Sequence, residues 1–88
     1  MIFRLDNKEY EGATAIEVIA QMKGEDAEFR AAQTDSSIRE FVRWSLKKLS
    51  DRLPPRELDL SNARVSEEVQ ARGYLSLRHD YGVGELVE

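Results

Sequence analysis

The 88 residues predict an α+β fold: a small antiparallel sheet, built from an N-terminal hairpin and a C-terminal strand, packed by three to four helices. Three observations predict it. Strand-like residues from Ile2 to Glu11 flank a turn-forming Asp6-Asn7 pair. Two capping boxes, Thr14-Ala15-Ile16-Glu17 and Ser37-Ile38-Arg39-Glu40, each open a stretch with helical character. Alternation returns near the C-terminus, from Tyr74 to Arg78 and again over Glu85-Leu86-Val87-Glu88.

With Asp6-Asn7 at the tip, the facing pairs become Leu5 with Lys8, Arg4 with Glu9, Phe3 with Tyr10 and Ile2 with Glu11. One pair is opposite in charge and one is aromatic, and both kinds stabilise antiparallel strands. The first capped helix runs from Thr14 to about Lys23, and Gly24 supplies a residue able to end it left-handed. Ala15, Ile16, Val18, Ile19, Ala20 and Met22 surround most of that cylinder, so it is expected to pack deeply against the hairpin. Residues 25–33 hold Ala27, Phe29, Ala31 and Ala32 without a clean stripe and are assigned to a short second helix. Thr34-Asp35-Ser36 reads as a loop.

The longest helix is expected at 37–53. Ile38, Phe41, Val42, Ser45, Leu46, Leu49 and Leu53 follow helical spacing, and Pro54-Pro55 stops the segment because neither residue offers an amide. Glu57-Leu58-Asp59-Leu60 alternates like a short strand. Asn62 or Ser66 then caps a helix carrying Val65, Val69 and Ala71, with Glu67 and Glu68 near its positive end and Gly73 ending it. Tyr74 to Arg78 reads as a strand with Leu75 and Leu77 on one side. Gly82 and Gly84 mark a turn, and the last four residues form an edge strand or a tail. No repeat or long linker divides the chain, so residues 1–88 are read as one domain.

Composition narrows the function classes. Apolar residues make up 41% and charged residues 34%, which suits a single small core under a charged surface. Without cysteine there is no disulfide, thiolate zinc site or thiol nucleophile. No basic-then-apolar leader appears, and no apolar run approaches the ~18 residues of a membrane span. A cytoplasmic protein without a membrane partner is the expectation.

Charge is segregated along the chain. Residues 1–38 carry a net −4, residues 39–56 a net +4, and residues 57–88 a net −4. The basic block lies on the 37–53 helix, where Arg39, Arg43 and Lys47 recur at i, i+4, i+8 on a flank away from the apolar stripe. Trp44, with Lys48 one turn on, lies roughly 130° from the middle of that stripe. Such an indole is either covered by another segment or left part-exposed for a partner. Aromatic residues and arginine are enriched at interface hot spots.

Other motifs carry less. His79-Asp80 suggests acid–base chemistry, but neighbours on a strand face opposite ways, and no second histidine completes a metal set. Glu25-Asp26-Glu28 and Glu67-Glu68 do not follow a calcium-loop pattern and read as helix-start charges. Gly82-Val83-Gly84 lacks the third glycine of a dinucleotide fingerprint. No catalytic, cofactor or metal residue is assigned, and the chain is not expected to be an enzyme. The expected function is a protein–protein interaction or assembly module, homodimeric in one version. It docks an acidic surface through Arg39, Arg43, Trp44, Lys47 and Lys48. The alternative is a nucleic-acid-associated regulator using the same helix, with cations tracking phosphates and Trp44 stacking on a base.

Overall fold

A computed structural model describes residues 1–32, 37–53 and 64–88. The expected loop at 34–36, the Pro54-Pro55 stop, the strand at 57–60 and the Asn62 cap lie outside the described residues.

The chain opens with β1 (Ile2–Leu5) and β2 (Lys8–Glu11), joined through Asp6, whose φ of 54° is left-handed. All four expected cross-strand pairs form. β3 (Glu85–Val87) adds to the free side of β1, giving an antiparallel sheet of order β2-β1-β3. On the outer face Arg4 of the central strand reaches both edges, with Nε 2.8 Å from Glu9 and Nη1 3.5 Å from Glu85. Phe3 points the other way and is fully buried.

Helix α1 (Ala15–Glu25) begins at Thr14, whose Oγ1 accepts from the Glu17 amide at 3.2 Å. Glu17 returns a carboxylate oxygen to the amide of Ala13, one residue earlier than the usual capping box. A second carboxylate joins this terminus from across the molecule: Glu68 accepts from the amides of Ala15 (2.9 Å) and Ile16 (3.0 Å). The helix passes through Gly24 and ends at Asp26. That residue also starts α2 (Ala27–Ala32), since its Oδ1 accepts from the Phe29 amide at 3.0 Å.

Helix α3 (Ile38–Lys48) is capped by Ser37 as expected, but its regular part stops five residues before Leu53. Residues 49–53 continue as turns that return Leu53 to the core. The longest described helix is instead α4 (Glu67–Asp80), capped by Ser66. This corrects the reading of Tyr74–Arg78 as a strand and of Gly73 as a helix stop. The buried face of α4 is Gln70, Ala71, Tyr74, Leu75, Leu77 and Arg78, a helical spacing in which two positions are polar. The stop comes at Gly82 (φ 73°), where Val83 N–H donates to Arg78 O and Gly82 N–H to His79 O, the paired bonds of a Schellman turn.

One hydrophobic cluster unites the elements: Phe3 and Tyr10 of the hairpin, Val18 and Ile19 of α1, Phe41 and Val42 of α3, Tyr74 and Leu75 of α4. The helices thus cover the inner face of the sheet, as an α+β layer architecture requires.

Candidate functional site

The outer flank of α3 carries the five residues singled out by charge and spacing, and they do not behave alike. Arg39 is half-buried, and its Nη2 donates to the carbonyl of Val65 at 3.3 Å. Arg43 is exposed and pairs with Glu40 one turn back. Lys47 is exposed and makes no ion pair among the described residues. Lys48 pairs with Glu28 of α2, and its ammonium sits 4.9 Å from the centre of the Trp44 ring. That exposed pairing, with the Glu28 hydrogen bond as its main cause, raises the Lys48 pKa.

Trp44 is half-buried. Its ring packs edge-on to Phe29 (centroids 5.4 Å apart) and lies tilted beside Phe41 (6.2 Å), while Phe29 and Phe41 meet at 90° and 5.2 Å. Phe29, 1% exposed, is the buried residue of the short helix α2. The weak segment at 25–33 therefore has a definite task, which is to supply the side of the indole's seat that α3 cannot. A single phenylalanine in a run of alanine and charge was the available signal.

Beside Trp44 the hairpin, the α1–α2 junction, α3 and α4 border an open cleft of about 460 Å³. Met22, Phe41, Trp44 and Leu49 give it apolar walls, and Ser45 and Arg78 give it a polar floor. Three acids and two lysines edge it. Glu25 accepts from Tyr10 Oη at 2.9 Å and Lys8 Nζ at 3.4 Å, Glu28 pairs with Lys48, and Asp26 is engaged by the Phe29 amide. The Tyr10 hydroxyl bond, with that from Lys8, holds the Glu25 carboxyl below its ordinary range; burial, with the Glu25 bond second, pushes Tyr10 up.

Arg78 escaped the sequence reading, which placed it at the end of a strand. It is 8% exposed. Nε donates to the carbonyl of Val83 at 2.9 Å and Nη1 to the Tyr74 hydroxyl at 2.8 Å, which is itself hydrogen-bonded to Ser45. The guanidinium lies 5.5 Å from the Phe3 ring centre and 5.7 Å from that of Tyr74. No carboxylate among the described residues forms an ion pair with it.

His79, expected at a strand end, stands in the last turn of α4, and its Nδ1 accepts from the Leu86 amide at 3.0 Å. The imidazole thereby secures β3. Glu68, expected to serve its own helix start, caps α1. Among the described residues no group of three or more His, Asp or Glu is placed to hold a metal ion, and no helix is long and apolar enough to cross a membrane.

No protein-family model, characterised protein or solved structure shows significant similarity to this chain.

Proposed function

We propose that this protein is a small non-enzymatic interaction module that docks an acidic protein surface on the α3 flank of Arg43, Trp44, Lys47 and Lys48. A second copy is the first candidate for that surface, because the two flanks of the chain each carry a net −4. The observation that carries the reading is the seating of Trp44. A half-buried indole backed by Phe29 and Phe41 loses little freedom on binding, and the Lys48 ammonium lies over its ring, with Arg43 and Lys47 on the same helix. The pairs Arg43–Glu40 and Lys48–Glu28 are solvent-exposed, so a partner's carboxylates can replace the internal ones without burying a new unpaired charge.

Contacts between surface charges weaken as salt rises. The test is the molecular mass in solution at low and high ionic strength, for the parent chain and for Trp44→Ala combined with Arg43→Glu. Self-association that salt and the double substitution both dissolve supports the reading. A monomer under every condition removes the second copy as occupant. A mobility shift of single-stranded or duplex oligonucleotides at tens of micromolar protein would assign the same flank to nucleic acid instead.

A further inference from the structure

The guanidinium of Arg78 is buried without a carboxylate partner among the described residues. Arginine stays protonated in proteins, so burial cannot be relieved by losing the charge. A buried cation is tolerated when it is paired and its donors are used. Here it meets two neutral acceptors, the Val83 carbonyl and the Tyr74 hydroxyl, and two aromatic faces. Two of its five N–H donors are engaged by those bonds. Arg78 also lines the cleft beside Trp44, whose ~460 Å³ falls within the range of roughly 300–1,000 Å³ typical of small-molecule sites.

We propose that this cleft binds a small organic monocarboxylate, its carboxylate held by Arg78 and its apolar body resting against Trp44, Phe41 and Met22. The walls specify the apolar part, because Phe41 and Met22 present hydrocarbon and thioether surface and Trp44 adds only an indole N–H donor. The edge specifies the charge. With Arg78 counted, three cations and three acids line the cleft, so a monoanion pairs locally with Arg78 while a phosphate dianion finds no second cation in surplus. Forked N–H donors fit a planar carboxylate in two parallel bonds. The cleft shares Trp44 and Lys48 with the docking flank but needs neither Arg43 nor Lys47.

A purely structural Arg78 is the competing account, because its Nε bond to Val83 and the Val83 N–H bond to its own carbonyl clamp the turn after α4. The test therefore compares an acid with its neutral isostere on the unmodified chain. Phenylacetate, phenylacetamide and inorganic phosphate are titrated separately, reading Trp44 fluorescence, which comes from the sole tryptophan, and the amide and arginine Nε resonances in nitrogen-15 spectra. Phenylacetate is expected to saturate in the millimolar range, to move Arg78, Ser45 and Trp44 resonances, and to bind about tenfold or more tightly than phenylacetamide. Arg78→Met is expected to erase that preference, and Arg43→Glu with Lys47→Glu to leave it intact, which separates this site from the docking flank. Equal affinity for acid and amide, tighter binding of phosphate, or no saturable response at millimolar phenylacetate would each overturn the proposal. The acid–amide comparison decides the matter even where Arg78→Met fails to fold.

Discussion

Glu68 belongs to the first turn of α4 but accepts from the amides of Ala15 and Ile16, so one carboxylate fastens the N-terminus of another helix. Its charge also faces the positive end of the α1 dipole. Glu68→Ala leaves both donors without that acceptor and is expected to destabilise the fold by about 1–3 kcal/mol, read as a lower urea midpoint at unchanged slope. An unaltered midpoint would show that water replaces the carboxylate at no cost. Glycine gives a second contrast at this scale. At Gly84 φ is 136°, and an added Cβ would collide with the Phe3 ring. Backbone strain and overpacking then act together, so Gly84→Ala is expected to cost about 2–4 kcal/mol. Gly24 lies near the end of α1 with nothing close to an added Cβ. There Gly24→Ala is expected to stabilise by about 0.5 kcal/mol, through loss of freedom in the unfolded chain. Melting temperatures moving in opposite directions would confirm the pair; a shared direction would contradict it.

At the scale of elements, the hairpin and the starts of α1, α3 and α4 were legible because local chemistry decides them. Asp6 takes the left-handed turn, and Thr14, Ser37 and Ser66 each accept from the amide three residues on. The second half of α4 was not legible. Gln70 and Arg78 occupy buried positions and broke the apolar periodicity, leaving Leu75 and Leu77 to imitate a strand. What buries them is tertiary: the fold hides a cation beneath Tyr74 and Phe3, and no rule of spacing foretells that. The candidate site was half legible for the same reason. The cations of α3 could be counted, whereas the covering of Trp44 by Phe29 depends on how α2 folds back. Phe29→Ala tests this arrangement. It removes a ring 1% exposed from between Phe41 and Trp44 and is expected to cost about 3–5 kcal/mol, with Trp44 emission shifting to the red in the native baseline. A large loss of stability with unchanged emission would mean that Phe29 packs the core without seating the indole.

Across the whole molecule, every element contributes to one apolar cluster, so the parts should lose their structure together. Unfolding by urea is expected to give the same midpoint by Trp44 fluorescence and by far-ultraviolet circular dichroism. An earlier fluorescence midpoint would show the α2–Trp44 corner opening separately. The pH dependence of that midpoint follows from the Tyr10–Glu25 bond, which ties the second strand to the end of α1 beside the cleft. Glu25, held below its ordinary value of 4.5 chiefly by the Tyr10 hydroxyl and then by Lys8, binds protons more weakly folded than unfolded. Its contribution is therefore in place above that ordinary value and fades as pH falls through the lower, folded one. Tyr10, raised above 10.0 first by burial and then by Glu25, has the opposite sign. Its contribution is complete below 10.0 and fades as pH climbs through the raised value. Glu25→Gln keeps an acceptor for Tyr10 but removes the acid, so the midpoint difference between parent and variant should hold above pH 4.5 and shrink as pH falls below it. A difference constant through that fall would show that the bond is maintained without the charge, and that the strand-to-helix tie is indifferent to acid.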